Sequence, residues 1–436
     1  MKILHVIQLK LMLAHHVYGM ATIVAPLDPM KGENINASQN CVEELDLSYQ
    51  GFQKIDRKFS SADSCIKILY LHNNLIEEFE DGIFSNLTNL EYLDLSYNKL
   101  SPATLFSFGS VPSLKTLILD RNNKNWPDFT LDTKVYFPKL THLSLVGLNI
   151  NSVAINWPEY FPKIEELDIS YNGRVSMNEF LNNIPTTLRS LSMRWMSLYE
   201  LKIQNLKNVT SLNLEGDYFH SIKRSNCDED SLCLVDLDGL ESLSLGYCDI
   251  ELIEEHAFEH LTKLSYLDLQ GNEITRISKG TFGRFPSLSY LDISANPLVD
   301  VSFISELQNL TTLKMERMKD NRAIESLFSL SSIPTKIQIL SLAYNELSVI
   351  PPRFLDNLQD LREIDLSFNR ISSLSPGSWQ RNLKAINLLV NEVSKIEDLH
   401  LSEATSLQLL DLRENKVASV NPEAIEALPK NVDLEL

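Results

Sequence analysis

His256-Ala257-Phe258-Glu259-His260 fits the H-x-x-E-H spacing in which two imidazoles hold zinc and a carboxylate activates water. That chemistry needs a helix long enough to turn both histidines toward one metal, and a third ligand. Neither is evident. Ala257-Phe258 instead fills a recurring apolar position, continued by Leu261 and Leu264. Asp228-Glu229-Asp230 would attract calcium, but the spaced oxygen ligands of a calcium loop are missing. It reads as a solvated acidic loop. A phosphate-cradling glycine loop, a G-x-S-x-G nucleophile turn and a dinucleotide fingerprint are all absent from the sequence. The expectation is a chain with no catalytic, metal or cofactor site, which works by noncovalent binding.

The elements that must position any binding residues are repeats. The pattern L-x-L-x-x-N begins at Leu45, Leu69, Leu93, Leu117, Leu143, Leu167, Leu191, Leu212, Leu243, Leu267, Leu291, Leu313, Leu340, Ile364, Ile386 and Leu410. The commonest interval is 24 residues. L-x-L predicts a short strand with one face buried. The Asn five residues after the anchor, as in Asn98 and Asn272, predicts hydrogen bonds to backbone groups where the chain turns away. One repeat cannot bury its leucines alone, whereas a stack shares one core. Phe84, Phe108, Phe258 and Phe282, each nine residues before an anchor, predict an aromatic column on the bulkier outer side. Narrow strands inside and bulk outside bend the stack into an arc.

Over residues 41–436 this resembles the leucine-rich repeat family, in particular its extracellular class with a 24-residue period. It is similar in style to insect leucine-rich immune proteins and Toll-like receptor ectodomains. The resemblance implies an α/β solenoid of about 16 repeats, one short parallel strand per repeat lining the concave face. Extracellular members often end in a cysteine-rich cap. This sequence instead stops at Asn431-Val432-Asp433-Leu434-Glu435-Leu436, the opening of a seventeenth copy. The expectation is a truncated sequence, or a partner or second copy covering that end.

Cys41 and Cys65 sit four residues before successive anchors, in one column. Neighbouring strands lie about 4.8 Å apart, within reach of a disulfide. Cys227 and Cys233 flank the acidic stretch in the longest interval, 31 residues, and predict a small disulfide loop. Cys248 falls in the Asn column and reads as a free core thiol. Four glycosylation sequons begin at Asn36, Asn86, Asn208 and Asn309. Asn208 and Asn309 share the Cys41/Cys65 column, expected to point outward.

Lys2, the apolar stretch Ile3–Ala14 and small residues Gly19 and Ala21 lay out a secretory signal peptide, interrupted by Gln8 and Lys10. The expected division is residues 1–21 signal peptide, 22–40 an N-terminal segment and 41–436 repeats. The remaining sequence lacks a stretch long enough to span a membrane. Lys and Arg number 39 against 58 Asp and Glu, a net charge of −19, so a phosphate backbone would be repelled and nucleic acid is not an expected partner.

Residues beside the buried leucines face the inner surface of the arc. Seven copies carry Asp one position after the anchor, and Tyr49, Tyr97, Tyr171, Trp195, Tyr247, Tyr344 and Phe368 stand four after it. The aromatic run reads either as packing between neighbouring rings or as ligand contact. The copies at Leu191 and Leu313 abandon the pattern, with Met193-Arg194-Trp195-Met196 and Met315-Glu316-Arg317-Met318. Replacing Asn with Met should cost backbone hydrogen bonds. Arg and Trp are enriched in binding hot spots. The expected contact surface therefore runs from Arg194 and Trp195 through Tyr247, Tyr266 and Tyr290 to Arg317. The expected function is a secreted recognition protein for protein, glycan or microbial-surface ligands, in innate immunity. The rivals are a truncated membrane-receptor ectodomain and a matrix or adhesion protein.

Overall fold

The computed structural model describes residues 42–436 apart from 56–57, 123–127, 130–134, 151, 154, 174, 176, 204, 225–229, 283–285, 418–419, 427 and 431. The signal-like leader, Asn36, Cys41 and Cys227 lie outside the described residues.

Among the described residues, seventeen short parallel strands form one sheet. Each pairs with the next copy along the chain, anchor to anchor: Leu45 opposite Leu69, Leu69 opposite Leu93, Leu267 opposite Leu291. The seventeenth, Asp433–Glu435, sets Leu434 against Leu410. In a typical strand, Tyr92-Leu93-Asp94, the middle leucine is buried and its neighbours are half-exposed. The anchors join the other leucines in one continuous core, a solenoid with its sheet on the concave side. This is the architecture that the resemblance to leucine-rich repeats implies.

What ends each strand is a backbone turn with a fixed hand. The residue four after the anchor has positive φ in all sixteen copies, from 49° at Arg121 to 80° at Gly216. Side chains seldom adopt this region, yet here Tyr, Trp, Arg, Phe, Ala, Val and Glu do so. The cost is offset locally. Asp one after the anchor accepts a hydrogen bond from the backbone N–H two residues on: Asp94 from Ser96 at 2.9 Å, Asp168 from Ser170 at 2.8 Å, Asp268 from Gln270 at 2.9 Å. The recurrent Asp is therefore a turn-forming side chain.

Beneath the turns runs the asparagine ladder. The Asn272 side-chain carbonyl accepts from the Cys248 and Ile250 N–H groups of the preceding copy, at 2.9 and 3.1 Å. Its amide donates to the Leu245 and Leu269 carbonyls, at 2.8 and 2.9 Å. Asn172 and Asn369 repeat the pattern. Each carbonyl thus has two candidate donors, one from its own copy and one from the next. That redundancy softens the expected cost at Met318, because Asn345 still donates to the Met315 carbonyl at 2.7 Å.

On the outer side, Phe84 and Phe108 pack with centroids 5.6 Å apart, and Phe258 and Phe282 stack at 5.8 Å, all fully buried. In the 31-residue interval, Asp228 and Glu229 lie outside the described residues and Asp230 is exposed, and a strand that the repeat pattern did not predict follows. That strand, Ser231–Cys233, is buried and lies between Leu201–Lys202 and Ser221–Lys223, and Leu252–Ile253 completes a second parallel sheet. Cys65 and Cys233 are each disulfide-bonded. Cys248 is a buried free thiol.

Candidate functional surface of the concave face

The strands place Tyr266 and Tyr290, each directly before its anchor, in register on the concave face. Their rings stack with centroids 4.2 Å apart and an interplanar angle of 13°. Lys314 lies over Tyr290, its Nζ 5.7 Å from the ring centroid. Asp268 and Asp292 flank the pair. Burial pushes both carboxyls above the ordinary carboxylate range. For Asp292 the charge of Asp268 acts next in the same direction, and for Asp268 the charge of Glu215 adds to it.

The turn column runs alongside as a ridge. Tyr171 and Trp195 stack at 6.3 Å, Tyr344 and Phe368 at 4.0 Å. Where the next copy has glycine, the ring lies over it. A Cβ at Gly216 would sit 2.2 Å from the Trp195 indole, and one at Gly271 would sit 2.4 Å from Tyr247. The aromatic run therefore packs ring on ring along the turns. The rings pack in a ladder, yet Trp195 remains 39% and Tyr247 46% exposed.

Arg121 belongs to the same ridge, 5.9 Å from the Tyr97 centroid and 5.4 Å from that of Tyr171. Sequence reasoning passed over it because it is not aromatic. Its column, and the glycine at 147 beneath its side chain, were the available signals.

The expected residues fall into two groups. Tyr247, Tyr266, Tyr290 and Arg317 share a field: burial raises the Tyr247 hydroxyl pKa first, while Glu215, Arg317, Asp268 and Asp292 all act on it. Arg317 itself stacks on Tyr344 of the next copy, 4.2 Å from the centroid. Arg194 and Trp195 stand two copies earlier. The Arg194 Nη1 is 3.9 Å from Glu215, and its Nε has no hydrogen-bond partner among the described residues. At about 4.8 Å per copy, the five steps from Arg194 to Arg317 span ~24 Å. Glu215 bridges the groups, contacting Arg194 and acting on Tyr247 and Asp268.

The histidine pair is used otherwise. His256, exposed with φ 68°, faces Glu255 at 3.8 Å. His260 Nε2 accepts from Arg224 Nε at 3.1 Å. The described sequon residues Asn86, Asn208 and Asn309 are exposed. Among the described residues, none of the helices is long and apolar enough to cross a membrane.

Residues 64–123, 238–298 and 335–388 match the leucine rich repeat family. The chain is 30% identical to lumican of Mus musculus over 188 residues, covering 41% of this chain and 52% of that protein. It is 26% identical to the CD180 antigen of Mus musculus over 318 residues, 70% of this chain and 46% of that one. Podocan-like protein 1 of Homo sapiens is 24% identical over 413 residues, 77% of this chain and 78% of that protein. The chain thus spans about half the length of the lumicans it matches. The crystal structure of a TLR13–ssRNA13 complex superposes with TM-score 0.59 at 20% identity, covering 88% of this chain and 60% of that one. The Leptospira interrogans protein LIC12759 gives 0.50 at 20%, covering 91% and 96%. Both structures show the fold alone. With its strand register, its asparagine ladder and these matches together, the chain folds as a solenoid of leucine-rich repeats and is similar to extracellular members of that family.

Proposed function

We propose that this chain is a secreted recognition module that binds a protein or microbial-surface ligand noncovalently on its concave face, between Arg194 and Arg317, with innate immunity as its setting. The observation that carries the reading is the aromatic surface itself. Tyr266 and Tyr290 are locked by stacking, and Trp195 and Tyr247 are held over glycines while staying exposed. Rings fixed before binding lose little entropy on contact. Disulfide-bonded Cys65 and Cys233 support an oxidising compartment, hence secretion. The deciding experiment is Arg194→Ala with Trp195→Ala. The double variant should keep its melting temperature and lose about 2 kcal/mol or more of binding to a partner pulled down from extracellular fluid. Intact binding by the folded variant would move the site off this face.

A further inference from the structure

Three consecutive positions of the ladder lack asparagine: Met196, Asp217 and Cys248. Asp217 has no exposed surface. One carboxyl oxygen does what an asparagine carbonyl does, accepting from the Met196 and Leu198 N–H groups at 2.9 and 3.0 Å. The other, Oδ2, occupies the place of the amide and is buried without a hydrogen-bond partner among the described residues.

The ladder defines what that oxygen faces. Asn172 donates to the Leu145 and Ile169 carbonyls, and Asn345 to those of Met315 and Leu342. The equivalents for position 217 are the Met193 and Leu214 carbonyls. The Leu214 carbonyl receives the Cys248 thiol at 3.1 Å. The Met193 carbonyl would take its donors from positions 196 and 217, and Met196 has none to give. An ionised carboxylate there sets acceptor against acceptor in a buried site. A neutral acid has one O–H to donate.

We propose that Asp217 is the ladder's proton-dependent rung. As the neutral acid it donates to the Met193 carbonyl in place of an asparagine amide. When it ionises, it loosens the turn that carries Trp195, so that proton uptake tightens the recognition surface. The regulatory part rests on the function proposed above. The rung itself rests on the ladder geometry.

Burial pushes the Asp217 carboxyl from 3.8 up to about 7, against the lowering effect of the Leu198, Met196 and Ser197 N–H groups. The sign follows. The folded chain keeps a proton that the unfolded chain has released, so stability falls as pH rises from about 4 to about 7 and is level above. The surrounding groups are few. Glu215 in the same copy faces Arg194 of the preceding one at 3.9 Å. Cys248 of the following copy is pushed up to about 12, chiefly by burial, and stays a thiol throughout. On the far side of the turn, exposed His220 faces Glu251 at 3.6 Å, beside Asp249 and Asp230.

The test compares the full chain with Asp217→Asn, which supplies the amide donor at every pH. Unfolding equilibria between pH 4.5 and 8.5 should show a one-proton slope, about tenfold per pH unit below pH 7, that the variant lacks. Their difference removes other titrating carboxyls such as Asp120. The Trp195 fluorescence, isolated by subtracting a Trp195→Phe chain, should change with a midpoint near 7, and Asp217→Asn should abolish that change. His220→Gln should retain both effects. An unaltered slope in Asp217→Asn, a Trp195 signal that does not titrate, or loss of the transition in His220→Gln would each overturn the proposal. These readouts need no ligand, so failure of the Arg194/Trp195 binding test would leave them standing.

Discussion

The Trp195 indole lies flat across Gly216, so close that a Cβ there would come within 2.2 Å of its ring. Gly216 also has φ 80°. Alanine at 216 therefore meets two obstacles, left-handed strain and the displaced indole. Gly51, with φ 68° and nothing within 4 Å of its Cβ position, meets the strain alone. Gly51→Ala should cost about 1 kcal/mol, and Gly216→Ala a further ~1–3 kcal/mol for overpacking. Chemical denaturation measures both. Equal costs would mean that the indole swings away freely and is not held for binding.

Asn272 joins two copies through four buried backbone groups. Asn272→Ala leaves them short of partners, at about 1–3 kcal/mol each where no other donor or acceptor substitutes. A total loss of ~3 kcal/mol is expected. Asn415, in a less buried rung near the last strand, should cost about 1 kcal/mol on the same scale. Comparable losses at the two positions would show that burial does not set the strength of the ladder.

The register was legible because its cause is periodic: a leucine every 24 residues must find the next one, and Leu45, Leu69 and Leu93 do. The left-handed column was not, because φ leaves no mark on residue type when Tyr, Trp and Arg all tolerate the turn. Gly147, Gly216 and Gly271, standing among those aromatics, were the trace it left. The extra strand Ser231–Cys233 escaped because three residues carry no period. Its neighbouring Asp228-Glu229-Asp230 read as solvent-facing loop. The candidate surface was legible as residue types, but the link through Glu215 depends on geometry across copies.

Asn208 and Asn309 are exposed at strand entrances, their amides donating to the Thr186 and Pro286 carbonyls at 2.9 and 2.7 Å. A glycan replaces one amide hydrogen and leaves the other to keep that bond. Both sites are expected to be occupied. Peptide-N-glycosidase treatment of material secreted from insect cells should lower its apparent mass, and by less in Asn208→Gln or Asn309→Gln chains. An unchanged mass would undo the secretory reading.

Cys65 is disulfide-bonded, and in the sequence Cys41 and Cys65 each stand four residues before an anchor, Leu45 and Leu69, which pair in the sheet. Cys41 is the expected partner. Non-reducing peptide mapping should recover the two as one linked species; a Cys65 joined to any other residue would refute the pairing. A bond closing a loop of this length contributes about 3 kcal/mol by restricting the unfolded chain. Its effect should stay local, because each repeat leans on its immediate neighbours. In a Cys41→Ser, Cys65→Ser chain, amide exchange should therefore rise in the strands at Glu44–Asp46 and Ile68–Tyr70 while the strands at Tyr266–Asp268 and Tyr290–Asp292 keep their protection. Uniform loss along the whole stack would mean that the solenoid unfolds as a single cooperative unit, with the bond serving all copies alike.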